Sequence, residues 1–300
     1  VNLLWHEGSI LLHETSYSWR QSRHHNTVVF KEGISEDPFN YVWEPESPLF
    51  MLKVRPTERR ARVPIFAPMR NAVFIRSRLD QFQRTLVKAG EAVYVFDYLD
   101  VKGAYTAACL WHTEKIIEHG GKHFRTRIEN LVVNEIEGLA KAPGDGELLL
   151  IFPKAKKVGF EKEIRADTDE YAIFQLLSET FDNGVAFSSI LFPVKRAQPC
   201  MHVVSGVEAL NPVSGEHGSY PGADGVKLVL NGETVYVCCR NAANTGSVAY
   251  GDVESDADVL YVKAKPSGGE VAAVNVSTIR YKGETILSVK EKQTKYEAGF

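Results

Sequence analysis

Short runs of β-branched and aromatic residues, punctuated by Gly, Pro, Asn and Asp, constrain this chain more than any other feature. Val73–Ile75, Ala92–Phe96, Tyr105–Leu110, Leu148–Phe152 and Ala186–Phe192 follow the pattern. So do Val226–Leu230, Thr234–Cys239, Val259–Val262, Val271–Val276 and Thr285–Val289. Their length and content favour strands over helices. Asn231-Gly232, Lys282-Gly283 and Lys102-Gly103 fall between such runs and predict tight turns. Asp167–Glu179 is the one serious helical candidate, and Tyr171–Leu177 within it fits a strand equally well. Many strands without intervening helices predict an all-β, antiparallel sandwich or barrel. We expect a large antiparallel β-sandwich over residues 1–200 and a smaller C-terminal β-domain over 201–300. The boundary falls between Pro193 and Gly225, a stretch that holds Pro199, Pro212, Pro221 and the Gly/Ser-rich Ser214–Gly222. The alternative is one continuous sandwich with a long loop.

Composition narrows the function classes. A chain of 300 residues forms a core that needs no disulfide staples. The net charge of -3 argues against a general nucleic-acid binder, which carries a basic excess. No stretch is long and apolar enough for a membrane helix. The four cysteines, Cys109, Cys200, Cys238 and Cys239, lack CxxC spacing and read as buried thiols. In a strand, Cys238 and Cys239 point to opposite faces and do not bond to each other. The opening Val1-Asn2-Leu3-Leu4-Trp5 reads like the middle of a protein, so we expect a fragment or a processed product.

The densest chemistry lies near the N-terminus. Ser22-Arg23-His24-His25-Asn26-Thr27-Val28 packs imidazoles, a guanidinium and an amide between the apolar runs Ile10–Leu12 and Val28–Phe30. Imidazoles accept protons or bind metal near neutral pH. A guanidinium holds a carboxylate through a planar fork. His13 ends one predicted strand and His25 stands at the entry to the next, so both rings can face one cleft. Two His ligands and an oxygen ligand would make a reasonable zinc site. Tyr17, Arg20 and Arg23 lie close in sequence and suit an acidic, oxygen-rich ligand. The bland alternative is that these histidines sit on loops and bind nothing specific.

Other segments carry weaker signals. Met51–Lys88 holds eight arginines and two lysines against Glu58 and Asp80, a local excess of eight positive charges. Such a field would attract a polyanion. Alternatively these charges are a solvated face, with Arg76 and Arg78 sharing the exposed side of a strand. Val93–Asp100, Gly103 and Leu110-Trp111-His112 together read as a hairpin with an acidic turn. Asp97 and Asp100 then shape that turn rather than form an acid pair. Trp111 and His112 would line a sugar-binding surface, although a satisfied strand-end His is the simpler reading. Phe39-Asn40-Tyr41-Val42-Trp43 is either a stacking platform or packing. No GxSxG, P-loop, HExxH or GxGxxG occurs.

His25-Asn26-Thr27-Val28 resembles the "HNTV" signature of the heparinase II/III-like polysaccharide lyases. Leu11–Tyr17 looks like a departed form of that family's "LLDPGTY" segment. Arg84, Val93–Asp97, Gly103 and Leu110–His112 are similar to its sandwich strands. The resemblance is specific over roughly residues 9–30, moderately so over 84–112, and covers the rest as architecture.

That resemblance implies a large β-sandwich (a supersandwich) and a smaller β-domain, preceded in the family by an α-helical toroid. Family members cleave uronic-acid polysaccharides, glycosaminoglycans among them, by β-elimination. A base removes the proton beside the carboxylate, a second group neutralises that carboxylate, and an acid protonates the departing oxygen. By position His25 matches the motif histidine, the expected catalytic-cleft residue and a metal ligand in zinc-bearing members. His13 falls where the family commonly has the Asp of "DPG", another ligand. Arg23, Tyr17, Arg20, Trp111 and His112 are the expected substrate contacts. The implied partners are an acidic polysaccharide or oligosaccharide and an α-toroid outside these residues, with room for a homodimer, but no nucleic acid and no membrane. The implied location is periplasmic or secreted. Without a toroid this chain is expected to show little lyase activity. The alternative function is a non-catalytic acidic-glycan-binding or structural β-sandwich module.

Overall fold

The computed structural model describes residues 3–6, 9–13, 26, 28–35, 62–79, 82–129, 145–154, 156–164, 169–182, 184–214, 218–219, 222–241 and 246–300. These residues are almost entirely antiparallel β-structure, as the turn-punctuated runs predict. The chain opens with β1 (Leu3–His6), β2 (Ser9–His13), β3 (Val28–Glu32), β4 (Arg62–Pro68), β5 (Ala72–Leu79), β6 (Phe82–Ala89), β7 (Ala92–Leu99) and β8 (Gly103–Thr113). There follow β9 (Lys115–His119), β10 (His123–Arg127), β11 (Gly146–Ile151), β12 (Val158–Ile164), β13 (Asp169–Phe181) and β14 (Val185–Lys195). A short helix, α1 (Met201–Gly206), leads into β15 (Val207–Leu210), β16 (Val213–Ser214), β17 (Gly218–Ser219), β18 (Ala223–Leu230) and β19 (Glu233–Arg240). The last strands are β20 (Val248–Tyr250), β21 (Val253–Ser255), β22 (Val259–Lys265), β23 (Gly268–Tyr281) and β24 (Glu284–Gly299). Within the helical candidate Asp167–Glu179, the described residues 169–179 are strand, part of β13.

The described residues fall into two compact units, each discontinuous in sequence. The first draws on 1–58, 102–181 and 190–200; the second on 59–101, 182–189 and 201–300. The second unit also takes in β4–β7, which the sequence reading assigned to the first. Side chains that periodicity cannot pair account for this. The buried Arg76 of β5 donates to the backbone oxygens of Arg240 and Asp258 at 2.8 and 3.0 Å. The Glu297 carboxylate accepts from the backbone amides of Arg70 and Asn71.

In the first unit, β12, β13, β8 and β3 form one antiparallel sheet. Its register sets Val28 opposite Cys109, Trp111 opposite Ile173 and Phe160 opposite Ile173. Ala108, Leu110, Phe174 and Leu176 cluster on one face. Alternation sends Trp111, Ile173 and Phe160 to the other. There Phe160 meets Phe124 of β10 edge-on, with centroids 6.1 Å apart. Strands β9, β10 and β11 thus supply the facing layer. Gly159 is required where β12 crosses β13, because a Cβ there would lie 2.8 Å from the Phe174 ring.

In the second unit, a ten-stranded antiparallel sheet carries β24 on the outer side of β23. Tyr236, Cys238, Leu260, Val262, Val271, Ala273 and Ile279 are among its core residues. Two of the predicted turns have the expected geometry. Asn231 and Gly232 join β18 to β19 with φ of 53° and 77°, and Lys282 and Gly283 join β23 to β24 with φ of 50° and 83°. Positive φ at both central residues is what a two-residue hairpin needs to match strand twist. The third expectation is corrected: Lys102-Gly103 closes no hairpin. Strand β7 pairs with β6, whereas β8 pairs with β3 and β13. Local sequence specified both strands but not their partners.

All four cysteines are free and buried. Cys238 lies in the core, and Cys239 turns the other way to contact Arg76. Burial pushes both thiols above their usual range; beside Cys239 the Arg76 guanidinium and Thr85 only partly oppose this.

Candidate functional site

The signature segment is anchored on β8. Asn26 is buried, and its Oδ1 accepts the backbone N–H of His112 at 2.8 Å. The same oxygen lies 3.4 Å from His112 Nδ1. Two residues on, Val28 begins β3 and is fully buried opposite Cys109. The motif's amide therefore fixes the entry to β3 against the Trp111–His112 end of β8. Strand β2, which ends at His13, also runs close to β8, β10 and β11.

Residues His25, Arg23, Arg20 and Tyr17 lie outside the described residues. So does the aromatic segment Phe39–Trp43. His13 is described only as the last backbone position of β2, paired with Leu3. Among the described residues, no group of three His, Cys, Asp or Glu side chains is arranged to hold a metal ion.

Trp111 and His112 are corrected. Trp111 is 0% exposed and His112 1% exposed. Stacking on a sugar needs an uncovered ring face, and this indole is packed between layers. Asn26 instead holds the His112 backbone amide and lies against its ring.

Asp97 is corrected too. It sits inside β7 at 1% exposure and accepts from Arg84 Nε at 2.6 Å and Nη2 at 2.7 Å. Two parallel charge-assisted bonds make this a bidentate pair. Asp100 is exposed after the strand, so the two acids form neither a turn lock nor an acid pair.

The basic stretch also divides. Arg76, expected on a solvated face, is buried and bonds Thr85 Oγ1 at 3.0 Å and Cys239 Sγ at 3.2 Å besides its two carbonyls. Arg70 and Lys88 are exposed. Lys53, Arg55, Arg59 and Arg60 lie outside the described residues.

Sequence reasoning missed a second buried network. Glu147, at 1% exposure, is gripped by Arg125 and Arg127. Arg125 also donates to the backbone oxygens of Gln198 and Lys195 at 2.8 and 3.0 Å. It thereby ties β10 to the segment that leaves β14. Arg127 reaches Glu129 at 3.2 Å, and Glu129 reaches Lys115 at 2.9 Å. Every residue here is partnered by charge, so the network reads as a staple. Alternating charge on β10 (Arg125, Arg127) was the only trace in the sequence.

No protein-family model matches the chain, and no curated protein matches it in sequence. No helix among the described residues is long and apolar enough to cross a membrane.

Proposed function

We propose that this chain is the β-sandwich portion of a heparinase II/III-like lyase that cleaves uronic-acid polysaccharide by β-elimination. The observation that carries the reading is the seat of the motif asparagine. Asn26 is buried and bonded to the backbone of β8, within an antiparallel sandwich of the kind that family uses. A buried amide so placed anchors the entry to β3, and His25 is its neighbour in sequence. In the proposed reaction a base takes the proton next to the uronate carboxylate. The C–O bond to the departing sugar breaks, and an acid protonates that oxygen. His25 and Arg23 would face the cleft; His25 with His13 would supply two ligands if zinc is held there. An α-toroid outside these residues would complete the cleft, and a periplasmic or secreted location follows from the same resemblance.

The test is release of unsaturated uronate, read as ultraviolet absorbance. This chain alone is expected to release little, and robust release would sink the idea that it is only one wall. The encoded sequence ahead of Val1 is the complementary measurement. A helix-rich region there with a cleft tyrosine is expected, and its absence counts against the lyase. A second reading, a non-catalytic acidic-glycan-binding module, is favoured by exposed lysines and rings on the first unit. It predicts salt-sensitive glycan binding that survives His25→Ala, and loss of binding in that variant argues against it.

A further inference from the structure

Strand β24 is an edge of the ten-stranded sheet. Strands β22 and β21 share one side of β23 and β24 takes the other; among the described residues β24 pairs with no other strand. Its two halves differ. Ser288 lies opposite Thr278 and Gln293 opposite Val276, so residues 289–292 of β24 face Ser277 alone. That bulge breaks the ladder, and from it Lys292 reaches the Asp256 carboxylate at 3.4 Å. From Gln293 to Gly299 the pairing is regular. Gln293, Thr294, Lys295, Glu297 and Gly299 are exposed, whereas Tyr296 and Ala298 are half-buried and pack against the core.

The backbone phase of this regular stretch is fixed. Gly269 and Phe300 exchange two N–H to O bonds, of 2.6 and 2.9 Å. In an antiparallel ladder such pairs alternate with pairs that exchange none. Val271–Ala298 and Ala273–Tyr296 are therefore bonded pairs, and Ala272–Glu297 and Val274–Lys295 are not. The N–H and C=O groups of Lys295, Glu297 and Gly299 then point away from β23. A row of outward groups of this kind is a template for another strand.

We propose that this edge pairs with a second copy of itself, antiparallel and centred on Tyr296, to give a two-fold dimer. A two-fold interface must be self-complementary, with each residue meeting its counterpart twice. Only outward groups can bond across it, so odd-numbered residues must lie opposite odd-numbered ones. With Tyr296 opposite Tyr296, Lys295 of each copy lies opposite Glu297 of the other, and Gln293 opposite Gly299. Opposite charges directly across a ladder are stabilising, and like charges are destabilising. The next allowed registers, centred on Lys295 or on Glu297, set Lys over Lys or Glu over Glu. Charge therefore selects one register and one occupant. A lysine on an edge ordinarily discourages pairing, but here each one meets a carboxylate. Glu297 is already positioned, since it accepts the amides of Arg70 and Asn71 at 3.2 and 2.9 Å. A carboxylate has further lone pairs for an ammonium. The two tyrosines form the closer, non-bonded kind of pair, on the face that carries the core. Residues 293–299 alone are fewer than the roughly 20–30 a side of a standard interface, so the dimer is weak and depends on concentration.

The test is sedimentation velocity of the full chain at rising protein concentration, up to about 1 mM. A monomer that passes into a dimer over that range is expected, and a monomer throughout overturns the proposal. Lys295→Glu and Glu297→Lys each set like charges across the two-fold axis, and each is expected to raise Kd roughly tenfold to thirtyfold. Mixed in equal amounts, the two variants place Glu over Lys on both sides and should associate again. Lys295→Pro removes an outward N–H while leaving the ladder to β23 intact, and should abolish the dimer. Melting followed by circular dichroism shows whether each variant folds. Glu297→Lys also loses the bonds to Arg70 and Asn71; if it melts early, Lys295→Glu and Lys295→Pro decide the matter. A dimer that ignores Lys295→Pro is built on another surface and overturns the assignment. Slow hydrogen exchange of the Lys295 and Glu297 amides in dilute, monomeric protein also overturns it, because another segment of the same chain would then hold the edge.

Discussion

Replacing Arg84 by Met tests whether the pair inside the β6–β7 hairpin behaves as buried chemistry or as surface decoration. The guanidinium and carboxylate side chains are 8% and 1% exposed, and they meet through two bonds of 2.6 and 2.7 Å. An exposed pair would contribute about 0–1 kcal/mol. Removing one partner of a buried pair leaves the other charge in a medium that solvates it poorly, at a cost of about 3–5 kcal/mol. For a unit of this size that corresponds to a fall in melting temperature of roughly 6–20 °C. Met keeps the stem of Arg84, so little of the loss comes from packing. Asp97→Leu should cost a similar amount, because it strands the arginine. The double variant Arg84→Met/Asp97→Leu should recover most of the stability, since an apolar pair of similar volume often replaces a buried ion pair without penalty. Urea unfolding followed by circular dichroism gives all three values, and the cycle gives the coupling. A coupling below about 1 kcal/mol would refute the argument, because the pair would then be acting as though it were in water.

Three further outcomes follow from the same structure. Gly283→Ala should cost about 1–2 kcal/mol through backbone strain alone; φ is 83° there and an added Cβ meets nothing within 4 Å, so a neutral result in thermal melting would contradict the hairpin geometry. The four thiols should resist a thiol-reactive dye until the chain unfolds, since all are buried and burial pushes the Cys200, Cys238 and Cys239 thiols up; rapid labelling of the native protein would show otherwise. Asp256 should contribute stability that is lost in acid. Burial pushes its carboxyl up, but Ser277 Oγ at 2.7 Å, the amides of Ser277 and Thr278 at 2.8 and 2.9 Å and Lys292 at 3.4 Å outweigh this and hold it below the usual range. A depressed folded value means the contribution is complete above the unfolded value of about 3.9 and disappears as pH falls through the folded one. The stability gap to Asp256→Asn should therefore narrow below about pH 4, and a gap that widens there would reverse the sign.

What was legible in the sequence was local. Alternation and turn dipeptides are properties of neighbouring residues, so the runs from Val73 to Val289 are strands and Asn231-Gly232 and Lys282-Gly283 are their turns. Pairing is not local, and there the reading failed. Val93–His112 looked like a hairpin because two good strands follow one another, yet β8 takes its partners from β3 and from β13. The site was legible in one residue. Asn26 belonged to the motif, and its bond to His112 spans 86 positions that no spacing rule connects. Trp111 failed as a sugar platform for a related reason. Nothing in its own segment reveals that Ile173 lies opposite it.

The misread charges share a cause that bears on function. Each positively charged Lys or Arg side chain buried among the described residues is an arginine: Arg76, Arg84, Arg125 and Arg240. A guanidinium is weakly hydrated and offers five donors in a planar fork, so it can be taken out of water when carbonyls or carboxylates meet it. Arg76 does this with two backbone oxygens, Arg84 with Asp97, Arg125 with Glu147 and Arg240 with Asp258. An ammonium loses more on leaving water, and Lys156 and Lys157 stay exposed. The arginine-rich run over Met51–Lys88 thus gives Arg76 and Arg84 to the interior, where they are already engaged. The same chemistry predicts that Arg76→Lys behaves as a packing defect rather than a conservative change.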